Sequence, residues 1–151
     1  MVNTTYQLAP WADALFALDV DWWKTYIKDV KLVFRGKLLS ANTVNRGDDV
    51  LCVQEALNYG NSGAAAMVAA FVGGAKRVVM LGYDCQHTND KSHWHGDHPK
   101  HLGNAGKTQL WHEGFARVAE RYGHNEIVNA SRVTALKTFK RMSLEDALWQ
   151  T

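Results

Sequence analysis

Five of the seven histidines in this 151-residue chain fall within fifteen positions: His87, His93, His95, His98 and His101. Asp84 opens that segment and Asp97 stands inside it, in the string DCQHTNDKSHWHGDH. Imidazole titrates near neutral pH, so such a cluster offers a general base beside a bound anionic ligand. It also offers metal ligands, since H-x-H with a nearby Asp and a further His suits zinc or another divalent ion. The spacing matches no established zinc pattern, however, and His93 and His95 point the same way only on an extended backbone. A third reading makes these residues hydrogen-bond donors of a loop packed on Trp94. So many imidazoles in one polar loop are an unusual way to build mere packing, which favours a site.

Two further segments carry chemistry. In NYGNSGAAAMVAAFVGG the polar turn Asn61-Ser62-Gly63 leads into an apolar run. A helix starting there presents unpaired backbone N–H groups and a positive dipole end, Gly63 lets a ligand approach the backbone, and Ser62 adds a hydroxyl. That suits a phosphate or carboxylate; the alternative is an ordinary capped helix whose Asn and Ser serve their own backbone. Neither a Walker loop nor a G-x-G-x-x-G is present, so ATPase and dinucleotide-dehydrogenase readings lose their main support. Trp22 and Trp23 can stack on a planar base or lie in the core. Arg132, Lys137, Lys140 and Arg141 make the C-terminal region basic, and meet phosphates if that region folds over a cleft.

The elements that must position these residues read as α/β. Residues 14–18 (ALFAL), ending in Asp19, read as a buried strand; Asp21 then caps a short amphipathic stretch over 22–27. Residues 30–34 and 50–53 are further strand candidates, with a turn-rich loop over 40–49 between them. The run from Asn61 to Gly73-Gly74 is a capped helix, apolar on every face and therefore buried. Residues 77–82 (RVVMLG) are a central strand ending in Tyr83-Asp84, which predicts a βαβ unit with a parallel crossover from residues 50–53. Residues 85–104 form a polar loop, 107–122 an amphipathic helix, 126–129 a last strand and 143–148 a short helix. These elements predict one compact domain, Rossmann-like, with an open, mostly parallel sheet and helices on both faces. In such sheets ligands lie beyond the carboxyl ends of the strands, where Asp19, the Asn61-Ser62-Gly63 turn and Asp84 with its histidines all belong.

Composition agrees with a small-ligand protein. Seventeen Lys and Arg against fifteen Asp and Glu leave a net charge of +2, with no basic stripe for a nucleic-acid polymer. Two cysteines, Cys52 and Cys85, are too few for a disulfide scaffold and suit a reducing cytoplasm. The longest apolar run, residues 64–72, is too short to span a bilayer, and the first residues lack a signal-peptide layout. Six tryptophans and several apolar elements suggest a homo-oligomer.

The stretch NSGAAAMVAAFVGGAKRVVMLGYDCQHTNDKSHWHGD, residues 61–97, resembles a group of phage-encoded proteins. That group is related to the archaeal 6-hydroxymethylpterin diphosphokinase-like family and, more distantly, to bacterial sialyltransferases of family 42. The resemblance continues through His98-Pro99 and Asn104. It takes in Ala9-Pro10-Trp11-Ala12-Asp13 with Asp19 and Trp22-Trp23, and at the other end Asn129, Ala135-Leu136 and Met142-Ser143-Leu144. It implies a Rossmann-like fold that binds a nucleotide or nucleotide-activated donor. Asn61, Ser62 and Gly63 would then contact the nucleotide, and His93, His95 or His98 would be a general base. Fuller relatives begin with an additional strand and a glycine-rich turn ahead of the segment matching Val2-Asn3. This chain starts almost there, which favours a binder over a transferase. Phage proteins that sequester nucleotide immune signals supply the analogy for such a binder.

The resulting expectation is a phage protein in the host cytoplasm that holds a nucleotide-type ligand, with no resident cofactor. The ligand set would be Asp19, Asn61, Ser62, Gly63, Asp84, His93, His95, His98 and Asn104. A glycosyltransferase or diphosphokinase-like enzyme with a loop histidine as base is the second expectation. A metal-dependent hydrolase holding a divalent ion is the third.

Overall fold

The computed structural model of the chain describes residues 1–44, 49–86, 99, 102 and 108–149. Among these the elements are β1 (Ala14–Phe16), α1 (Val20–Val33), β2 (Lys37–Ser40), β3 (Val50–Cys52), α2 (Ser62–Val72), β4 (Arg77–Met80), α3 (Thr108–Tyr122), β5 (Glu126–Asn129), β6 (Lys140–Arg141) and α4 (Leu144–Trp149). Short 3-10 turns cover Asn3–Gln7 and Gln54–Tyr59. The strands form two three-stranded sheets, β1-β2-β3 and β4-β5-β6, and every pairing in both is parallel. The chain is thus α/β, as its sequence predicts.

Parallel neighbours need a crossover between them, and the helices supply it. α1 carries the chain from β1 to β2, and α3 lies between β4 and β5. The βαβ unit expected between residues 50–53 and 77–82 is absent as a hydrogen-bonded pair, because β3 and β4 belong to different sheets. β2, which the sequence reading missed, occupies the edge of β1, and β3 docks on the far side of β2 with Leu39 opposite Leu51.

The second correction concerns residues 30–34, which are the last turn of α1 and its end, not a strand. Trp22, Trp23, Ile27 and Val30 recur at helical spacing and are all buried. They pack with Tyr6, Leu15, Ala17 and Leu38, and burying a side chain the size of Leu15, Ile27 or Val30 contributes roughly 1.5–3 kcal/mol. That tertiary gain overrides the strand preference of a valine-containing apolar run whose Leu32 and Val33 point to solvent. The helix also starts earlier than expected: Asp19, not Asp21, is its N-cap residue, and Asp21 sits in the first turn paired with Lys24 at 2.8 Å.

α2 matches its sequence. Its first turn is capped by Asn61, and Ala64, Ala65, Met67, Val68, Ala69 and Phe71 are buried. Its small side chains let one cluster draw on both sheets at once, with Phe16 of β1 beside Met80 of β4 and Ile127 of β5. α3 joins that cluster through Phe115 and Val118. The alternation of the strands sends Leu15, Ala17 and Leu38 to the opposite side, against α1. Likewise Val79 and Val128 turn to Ala147 of α4. Each sheet therefore has helices against both faces.

α3 approaches the turn before α2 so closely that Gly114 is required there. A β-carbon at Gly114 would overlap the Tyr59 carbonyl oxygen and come within 2.8 Å of Asn61 Nδ2. Gly114→Ala is expected to destabilise the chain by about 1–3 kcal/mol through this overpacking, read as a lower midpoint in urea; an unchanged midpoint would show that the α3–α2 contact is loose.

Candidate functional site

The carboxyl ends of the strands are tied together by side chains that the turns place there. At β1, Leu18 N–H donates to Ser62 Oγ at 3.2 Å, and the Leu18 carbonyl accepts from Asn42 Nδ2 at 2.9 Å. One residue further along α2, the Gly63 carbonyl accepts from the Tyr83 hydroxyl at 3.4 Å. Tyr83 follows β4, and its backbone is held on both sides. Its N–H donates to Ser131 Oγ and its carbonyl accepts from Thr134 Oγ1, each at 2.7 Å. Asn129, fully buried at the end of β5, completes the lattice. It accepts from Ser131 N–H at 3.0 Å and donates to Thr134 Oγ1 at 3.2 Å. Buried polar groups satisfied in this way fix the loops after β4 and β5 in one arrangement.

Those loops enclose an open cleft of about 1140 Å³. Its polar rim is Asp84, Ser131, Arg132, Arg141, Ser143 and Glu145, and its apolar wall includes Leu81, Val133, Met142 and Leu144. Gly82, at φ +73°, makes the left-handed turn that takes the chain from β4 into Asp84. Cys85 follows in the left-handed region at φ +51°, a conformation that costs a non-glycine residue energy and that clusters at functional sites. Arg141 lies at the end of β6 and is anchored, donating through Nε to the Ser131 carbonyl at 3.4 Å and through its terminal nitrogen to the Arg132 carbonyl. Burial raises the Asp84 carboxyl above its usual value. Burial first, and Asp84 second, push the Cys85 thiol up to about 11, so it stays protonated at neutral pH.

The expected site residues are placed as follows. Asp84 lines the cleft. Asp19 lies at the exposed start of α1, beyond the end of β1. Asn61, Ser62 and Gly63 stand at the start of α2, and their side chains are committed to the protein. Asn61 Oδ1 accepts from Ala64 N–H at 2.8 Å, and Ser62 is buried. A β-carbon at Gly63 would lie 2.8 Å from Tyr83 Cε1, so this glycine makes room for the tyrosine ring. What the turn leaves for a ligand is backbone N–H. Trp22 and Trp23 are core residues, their rings 5.1 Å apart edge to face and Trp23 Nε1 donating to the Ala17 carbonyl. His87, His93, His95, His98, His101 and Asn104 lie outside the described residues. Leu102 is described and packs against the cluster of Tyr6, Trp22 and Val44.

Arg132, Arg141, Ser131 and Ser143 are cleft residues that the sequence reading did not place in the ligand set. The signal was the basic C-terminal region, which the strand β6 brings back over the ends of β4 and β5. Among the described residues no group of three His, Cys, Asp or Glu can hold a metal ion. Among them, too, no helix is long and apolar enough to cross a membrane. Compared with known proteins, the chain matches no family model, no curated protein and no solved structure.

The raised Asp84 carboxyl has a consequence for stability. Between its usual 3.8 and the raised value, the folded chain holds a proton that the unfolded chain has released. Stability therefore falls as pH rises through that window, and the charged form remains a cost above it. Asp84→Asn removes this cost. Its thermal midpoint at pH 7 is expected at or above that of the parent chain, with the difference shrinking toward pH 3; a midpoint clearly lower at pH 7 would show that the carboxylate is stabilising.

Proposed function

We propose that this chain binds a phosphorylated, nucleotide-type small molecule in the cleft beyond the carboxyl ends of β4 and β5. The observation that carries the reading is the position of that cleft, with Arg132 and Arg141 on its rim and the polar lattice of Asn129, Ser131 and Thr134 beneath it. In open α/β sheets this edge is where ligands lie, and guanidinium groups suit phosphate because their fork of donors matches its oxygens. Anchoring Arg141 to two backbone carbonyls reduces the side-chain entropy that binding must remove. The volume lies just above the usual range of small-molecule sites, so a mononucleotide has room there.

A Rossmann-like architecture is part of the same proposal. The sheet orders β3-β2-β1 and β4-β5-β6, all parallel and sharing the core around α2, support one doubly wound arrangement with β1 and β4 innermost. The resemblance to phage-encoded proteins supports a nucleotide as ligand, and sequestration of a host nucleotide signal as its use.

The test is a thermal-shift panel of mono-, di- and cyclic nucleotides, followed by calorimetry. At least one ligand is expected to raise the midpoint, and Arg132→Ala to weaken it about tenfold or more, the scale of a lost charge-assisted hydrogen bond. No shift by any member at millimolar concentration would overturn the reading.

A further inference from the structure

We infer that Asp84 selects, among phosphorylated ligands, those that present two adjacent hydrogen-bond donors on a ring seated against Leu81, Val133 and Leu144. The inference rests on the reading that the cleft binds a phosphorylated ligand, and adds which part of that ligand is recognised and by what.

The Asp84 side chain lines the cleft, partly removed from solvent, and among the described residues no hydrogen bond or ion pair satisfies its carboxylate. Two guanidinium groups line the same cleft, yet neither pairs with it. Arg141 is turned instead to the carbonyls of Ser131 and Arg132. The backbone that carries Asp84 is fixed in place, because its own carbonyl accepts from Ala135 N–H at 2.8 Å and the preceding Tyr83 is held at both N–H and carbonyl. A carboxylate accepts only, through two oxygens side by side. A carboxylate open to solvent is hydrated, and a ligand that displaces such water must bring donors of its own.

The wall beside it is apolar and open. Leu81 is 56% exposed and Val133 54%, although both lie inside the cleft. Large apolar side chains left open in a concave site favour a flat or apolar body over a bare sugar phosphate. A phosphate toward Arg132 and Arg141, a ring along the leucines and a donor pair toward Asp84 together describe a nucleoside phosphate. Two parts of such a molecule carry adjacent donors: the amide–amine edge of guanine and the vicinal diol of ribose. The shared chemistry is the donor pair.

Calorimetric titration of the parent chain, Asp84→Asn and Arg132→Ala with GMP, dGMP, AMP, dAMP and inorganic phosphate tests this. If the pair is the guanine edge, GMP and dGMP bind alike and exceed both adenine ligands. If it is the diol, GMP and AMP bind alike and exceed both deoxy forms. In either case Asp84→Asn is expected to remove about tenfold of the preferred ligand's affinity and to leave phosphate binding unchanged. Equal loss across all nucleotides in Arg132→Ala, with no ligand discriminated by Asp84→Asn, would overturn the inference while sparing the phosphate-binding cleft. No binding by any ligand would overturn both.

Discussion

Two parallel sheets of three strands each have to be held at one level along their carboxyl edge, and one short helix start does this. Ser62 receives the backbone of β1, and Gly63, the next residue, receives the Tyr83 ring that follows β4. Asn61 closes the same turn by capping Ala64 and reaching the Trp111 carbonyl at 3.4 Å. Three consecutive residues thus connect β1, β4, α2 and α3. Each is explained by a contact within the chain: the asparagine by its cap, the serine by its hydroxyl and the glycine by the ring that would strike a β-carbon. The side chains of this turn serve the architecture while backbone N–H remains for a ligand, and the candidate cleft lies one strand further along the edge.

That displacement shows what the sequence made legible. α2, β4 and β5 follow directly from uninterrupted apolar runs closed by Gly or Asn, and they frame the cleft. Asp84 was legible because a polar residue right after a buried strand marks the carboxyl edge. Less legible was α1 beyond Ile27. Val30, Leu32 and Val33 read as a strand by type, and only the packing of Trp22, Trp23, Ile27 and Val30 against β1 and β2 makes them helical. β2 escaped because KLLS is too short to announce itself, and it exists through its pairing on both edges. Arg132 and Arg141 were visible as charge but not as a site. Their place in the cleft depends on a two-residue strand, β6, whose pairing with β5 no local pattern encodes.

The cleft itself is a balance of satisfied and unsatisfied polar groups. Asn129 and Ser131 are buried and, with Thr134, paired, so the floor is held in one arrangement. Asp84 on the rim carries a carboxylate whose burial is a cost to the fold. A stable chain gains nothing from that arrangement, and this sets the edge apart from the smaller cleft around Asp13, Arg35 and Lys37 at the amino ends of β1 and β2, which makes it the candidate for the proposed ligand.

The most direct test of this account is to follow the backbone amide resonances of the isotope-labelled chain while a nucleoside monophosphate is added. The account expects movement centred on Gly82, Asp84, Ser131, Arg132 and Ser143, with Asp13, Gly36 and Lys37 at the opposite edge unchanged. Movement confined to that opposite edge, or none at saturating ligand, would contradict it.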